Sequence, residues 1–299
     1  MTGQALTEPT SVSTLALPRC AALTDALLAT GPSACDDRAI AQLRERIEHG
    51  LARVANRPCI PHGVRVVRIG LYQLSRIASG PCASGTELSP PAFRWSARTA
   101  RRAIGLAAVR AGLDGRAATP LDAVALVVSD PAGPFGVGRS GPGSCADWLA
   151  SLAAPARAAV GAEATTWATQ LWTALDWHRL GPPTQVGPAD RGWHWAGAVR
   201  VALRGRVDVR LAGGACLTLL DGLPNAGSRS ALKLSALVDA LAKGAGHVPD
   251  RVIGWWPDCG KAWIVPIDAP ALCETADAVV RSAGVLLGAA EDGDGSTGR

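Results

Sequence analysis

Hydrophobic positions recur at three- and four-residue steps in several stretches of the chain. Between 36 and 55, Ile40, Leu43, Ile47, Leu51 and Val54 form such a stripe, which predicts a helix with Asp36 or Asp37 as its cap. The same reasoning predicts helices over 19–30, from Arg98 to Ala111, over 119–129 and through 145–178. Val64 to Ile69 is a short β-branched run and predicts a strand. From 193 the period changes to two. Trp195–Leu203, Arg206–Leu211 and Ala215–Leu220 are short runs parted by Gly205 and by Gly213 and Gly214, which predicts an antiparallel meander. A helix carrying Leu234, Leu237, Val238 and Leu241 follows over 229–243. Val252–Trp256 and Ala262–Ile267 predict two strands around a turn at Asp258, and an amphipathic helix over 270–288 closes the pattern.

The breaks set the organisation. Residues 1–18 read as a flexible tail, 19–62 as N-terminal helices, 63–288 as the main domain and 289–299 as an acidic tail. Pro and Gly dominate 79–91, 130–144 and 181–191, which read as loops. Helices followed by β-β-β-α-β-β-α predict an α/β (α+β-like) fold: a central mixed sheet flanked by helices.

Composition narrows the function classes. The 299 residues are 48% hydrophobic and 18% charged, enough apolar material for a core and too little charge for a disordered chain. No run of 18 apolar residues occurs, which argues against a membrane partner, and the N-terminus lacks a basic stretch followed by an apolar one; a cytoplasmic protein is expected. The eight Cys include no C-x-x-C pair, and His62, His178 and His194 have no metal-ligand spacing. Reduced, packed thiols are expected.

Candidate chemistry lies in the meander. Asp208 sits in its second run and Asp221 ends the third. Adjacent strands lie about 4.8 Å apart, so two such carboxylates could share a Mg²⁺ or Mn²⁺ ion. Metal-assisted phosphodiester hydrolysis uses a site of that kind, with a cation beside it. Lys233, on the following helix, is the candidate cation.

Five segments, in order, carry a family resemblance: Phe93–Leu106 (FRWSARTARRAIGL), Asp147–Leu152 (DWLASL), Gly205–Leu211 (GRVDVRL), Cys216–Leu223 (CLTLLDGL) with the helix Ser230–Leu241, and Arg251–Trp256 (RVIGWW) with the strand after it. Together they resemble the RecB-like PD-(D/E)XK nucleases of high-GC bacteria, over roughly 64–286. The resemblance implies that Asp208 stands at the family's first metal-binding Asp and Asp221 at the acidic position of its D/E-x-K motif. It also implies departures. The motif's Lys is Leu223, the helix His falls on Arg101, the Glu preceding the meander falls on or near Ala196, and a later Tyr falls on Ser235. Losing preorganised groups that act as a unit removes most of a catalytic effect. The expectation is therefore a catalytically impaired domain that binds nucleic acid or a partner protein. The alternatives are an active Mg²⁺- or Mn²⁺-dependent nuclease using Asp208, Asp221 and Lys233, and a pure protein-interaction subunit.

Net charge is +5, and only Lys233, Lys243 and Lys261 among the basic residues are Lys. Arg94, Arg98, Arg101 and Arg102 are expected on one helix face, and Arg204 and Arg206 on the meander. Arginine suits phosphate contacts, which makes these six the candidate nucleic-acid ligands. Trp193, Trp195, Trp255, Trp256 and Trp263 are expected mostly in the core, with Trp255 and Trp256 on opposite faces and one of them near the surface.

Overall fold

The computed structural model describes residues 14–16, 20–29, 35–56, 66–78, 93–138, 140–181, 183, 185–211, 214–225 and 227–288. The chain forms an α/β fold in which a seven-stranded mixed sheet is flanked by helices. The strands are β1 (Thr14–Ala16), β2 (Val66–Ile69), β3 (Gln185–Ala196), β4 (Arg200–Arg210), β5 (Cys216–Leu219), β6 (Arg251–Trp256) and β7 (Lys261–Pro266). Their order is β1-β7-β6-β5-β4-β2, with β3 on the other edge of β4. β3, β4 and β5 form an antiparallel meander; β6 is parallel to β5 and antiparallel to β7.

Both sheet faces are covered. On one lie α2 (Asp37–Ala55), α3 (Leu71–Ala78), α9 (Ser228–Lys243) and α10 (Ala269–Leu286), whose apolar stripes share a core with Leu203, Val207, Val252 and Trp256. On the other lie α1 (Cys20–Leu28), α4 (Ala97–Leu113), α7 (Ala154–Ala174) and α8 (Trp177–Leu180), packed on Val209, Leu217, Leu219, Ile253 and Trp255. Two more helices, α5 (Pro120–Ser129) and α6 (Cys145–Ser151), pack on α4 and α7 around a third, Ala-rich core. Small side chains let these helices approach closely.

Several expectations need correction. Gly205 is not a turn. It lies inside β4, opposite Arg191, and the hairpin turn falls at 197–199 instead. A Cβ on Gly205 would meet Ser235 Cα at 3.0 Å and Val238 Cβ at 3.1 Å, so glycine lets α9 lie flat on the strand. The supposed break at 181–191 is largely strand, since β3 begins at Gln185. The helical pattern through 145–178 divides at 152–153, where α7 restarts with a Pro in its first turn. Thr14–Ala16, expected in the tail, add an antiparallel strand to β7. Helix α3 had no strong sequence signal. Trp255 and Trp256 do occupy opposite faces, but both are buried. The loop at 130–144 contains no helix or strand among its described residues. His62, Cys59, Cys82, 79–91 and the acidic tail lie outside the described residues.

Candidate functional site

The candidate carboxylates of the sequence lie where β4 and β5 separate. The two strands pair only at Val209–Leu217 and Arg210–Cys216. Beyond that, Asp208 takes over from the ladder: its Oδ2 accepts the Leu219 backbone N–H at 2.8 Å. Its Oδ1 accepts Arg206 Nε at 3.1 Å and Nη2 at 3.0 Å. Asp208 is fully buried. Burial pushes its carboxyl upward, opposed by the Arg206 guanidinium and the Leu219 N–H.

Strand facing also changes at Asp208. Val201, Leu203 and Val207 point into the α9-side core, whereas Val209 and Leu211 point into the opposite one. The freed backbone of Arg206 is satisfied from α9: its N–H donates to Ser235 Oγ at 2.9 Å, and that hydroxyl donates back to its carbonyl at 2.6 Å. Thr218 Oγ1 donates to the same carbonyl at 3.1 Å. Arg210, two residues on, pairs with the buried Asp239 of α9. These bonds give Ser235 a structural task at the position where the resembling family has a Tyr.

Asp221 lies just past β5, at the carboxyl ends of the parallel pair β5 and β6. In open α/β sheets that end of the strands is where ligands bind. Here an arginine fills it. Arg101 Nη2, from α4, donates to Asp221 Oδ1 at 2.9 Å and to Asp258 Oδ2 at 2.8 Å. Asp258, in the turn after β6, also accepts the Gly222 N–H at 3.2 Å. Burial pushes the Asp258 carboxyl up, but the Gly222 N–H, Arg101 and Arg98 together hold it below the usual carboxylate range. Arg102, the next residue on α4, donates from Nη1 to the Leu219 carbonyl at 2.9 Å.

The six candidate arginines therefore divide. Arg101, Arg102 and Arg206 are committed to carboxylates or to a carbonyl within the fold. Arg94, Arg98 and Arg204 are exposed, and Arg94 and Arg204 form no side-chain hydrogen bond or ion pair among the described residues. Arg94 precedes α4 and is not part of its helical face. Lys233 is tied elsewhere: its Nζ donates to Glu274 Oε2 of α10 at 2.8 Å. Leu223, at the motif's Lys position, is 69% exposed.

A Mg²⁺ or Mn²⁺ ion needs several oxygen ligands with free lone pairs in near-octahedral array. Both Asp208 oxygens already accept internal donors, and Asp221 shares its donor with Asp258. The guanidiniums of Arg101 and Arg206 add positive charge where a cation would sit. As arranged, these residues do not fit the ion. Among the described residues no group of three or more His, Cys, Asp and Glu side chains is placed to hold a metal. Asp258 is the participant that sequence reasoning missed. Its turn was recognised, but nothing local marks it as a partner of Arg101, which lies 157 positions earlier.

No helix among the described residues is long and apolar enough to cross a membrane. No protein-family model matches the chain, and no curated protein or solved structure matches it.

Proposed function

We propose that this chain is a RecB-like PD-(D/E)XK-type domain with an impaired active site, and that it binds nucleic acid through its exposed arginines with little or no cleavage. The element order supports the fold reading. The segments that carry the resemblance form an antiparallel meander, a crossover helix and a strand parallel to the third, in the order the motifs occur. Asp208 lies within β4 and Asp221 just past β5, its antiparallel neighbour.

One observation carries the functional reading: Arg101 bridges Asp221 and Asp258. A guanidinium anchored there supplies the positive charge that a metal would bring, but it cannot bind or activate a water molecule as a metal does. The relocated-lysine alternative loses its support because Lys233 is paired with Glu274 on the far helix layer. Binding remains available through the exposed Arg94, Arg98 and Arg204.

The test is cleavage of labelled single- and double-stranded DNA and RNA in Mg²⁺ and in Mn²⁺, with Asp221→Ala purified identically. The expected result is no cleavage above the variant, together with a gel shift that is lost steeply between about 50 and 200 mM salt through counterion release. Metal-dependent cleavage that disappears in Asp221→Ala overturns the reading. Absence of any shift, with no cleavage, points to a protein-interaction subunit.

A further inference from the structure

Phe93 and Leu223 are the two most exposed large apolar side chains among the described residues, at 67% and 69%. Each lies beside an exposed arginine. Phe93 directly precedes Arg94. Leu223 follows Gly222, where an added Cβ would lie 4.0 Å from Arg98 Nη2. An exposed ring and two exposed guanidiniums therefore fall within residues 93–98, with Gly222 and Leu223 next to Arg98.

This stretch is held rigidly. The Phe93 ring meets Trp95 edge-on, with centroids 4.8 Å apart and planes at 87°. Trp95 is itself fixed, since its indole N–H donates to the Gly143 carbonyl at 2.7 Å. The backbone of 94–96 is locked by a reciprocal cap: Ser96 N donates to Thr99 Oγ1 at 2.8 Å, and Thr99 N to Ser96 Oγ at 3.2 Å. Thr99 Oγ1 also donates to the Arg94 carbonyl at 3.3 Å. An aromatic ring kept in water on a locked backbone loses little conformational entropy when a flat partner covers it.

We infer that Phe93, with Arg94 next to it in the chain and Arg98 in the first turn of α4, is a base-stacking platform that makes this surface selective for single-stranded nucleic acid over duplex. This rests on the proposed nucleic-acid reading and names its substrate class. An unpaired base offers a π-face to Phe93, while the neighbouring phosphates meet the two guanidiniums. In a duplex the bases are already stacked, so only the phosphate contacts remain. Positive charge beside the ring favours a polyanion over an uncharged apolar partner.

Fluorescence anisotropy of labelled dT20, rU20 and a 20-base-pair duplex, titrated with the full chain, tests the inference. Phe93→Ala is expected to weaken dT20 or rU20 binding by about five- to a hundredfold, the range for losing one stacked base, and to leave duplex affinity within about twofold. Phe93→Tyr keeps a ring and is expected to restore the single-strand affinity. Comparing dT20 with rU20 tells DNA from RNA as the bound polymer. Equal weakening on strand and duplex, or none on either, overturns the platform while leaving the parent reading intact if Arg94→Ala and Arg98→Ala still weaken both. If the wild type binds none of the three and binds poly-glutamate instead, both readings fail in favour of an acidic protein partner. Because Phe93 is exposed, thermal unfolding of Phe93→Ala at the wild-type midpoint controls for misfolding.

Discussion

Replacing Asp208 by Ala is expected to destabilise the fold far more than replacing Asp221, although the resemblance would treat the two as equivalent metal ligands. Asp208 is fully buried and holds the separated ends of β4 and β5 together through Arg206 and the Leu219 N–H. Removing one partner of a buried, hydrogen-bonded ion pair costs about 3–5 kcal/mol, because the remaining donors stay desolvated. Asp221 is different. Its side chain is 37% exposed, and Arg101 keeps Asp258 when Asp221 is lost. Its truncation is expected to cost about 0–1 kcal/mol. At about 2–4 °C per kcal/mol for chains of 150–250 residues, Asp208→Ala lowers the melting temperature by about 6–20 °C and Asp221→Ala by a few degrees at most. Urea unfolding by circular dichroism, run alongside the thermal scans, separates stability from aggregation. Asp208→Asn falls between the two. It keeps the volume and one acceptor but turns an amide toward a second donor, at a cost of about 1–3 kcal/mol. The pH dependence follows from the raised carboxyl. A raised carboxyl in the folded state binds protons more readily than in the unfolded chain. Its stabilising contribution is fully present below the unfolded value of about 3.9 and is lost as pH rises through the raised folded value. The gap between wild type and Asp208→Asn is therefore widest in acid and narrows with rising pH. An unfilled metal site differs in the sign of the Asp208→Asn effect rather than in the pH trend, since clustered carboxylates repel and neutralising one stabilises the protein. If Asp208→Ala leaves the melting temperature unchanged or raises it, Asp208 does not tie β4 to β5.

Three further outcomes follow from the same structure. Gly205→Ala is expected to cost about 1–3 kcal/mol in urea unfolding, because its Cβ meets Ser235 Cα and Val238 Cβ, neither of which can swing aside. A value near zero would mean that α9 shifts freely. Asp258 is held low by Gly222, Arg101 and Arg98 against the effect of burial; its contribution is present above the unfolded carboxyl range and lost as pH falls through its depressed value, so Asp258→Asn flattens the acid limb of the stability curve, and an unaltered limb refutes the assignment. Cys145 is buried, and desolvation pushes its thiol up to about 12, so maleimide labelling followed by peptide mapping at pH 8 is expected to reach it only on unfolding; rapid native labelling would contradict its packing in the third core.

Helices α2, α4, α9 and α10 were legible because burying one side of a helix imposes a period that any short window displays. Asp36 caps α2 as its spacing predicts, its side chain accepting Ala39 N–H at 2.7 Å. The final strand pair, β6 and β7, was legible for the same reason, with a turn between two apolar runs. Gly205 misled because glycine marks a turn and a close helix contact equally well, and only the position of α9 distinguishes them. Local pattern also places two motif aspartates on adjacent strands but says nothing of their partners.

The amino-acid order by itself therefore determined most of the succession of helices and strands, short of β1, α3 and the first half of β3, together with the sheet-and-helix architecture and the neighbourhood of Asp208 and Asp221. Those features depend on apolar periodicity and turn chemistry over ten or so residues. Only the tertiary structure decided that Arg206 and Leu219 close off Asp208, that Arg101 reaches across 120 positions to Asp221 and 157 to Asp258, and that Lys233 belongs to Glu274. A charge carries no mark of its partner in a linear sequence. The partner is chosen when packing removes water from both, and that choice depends on contacts made by every helix covering the sheet.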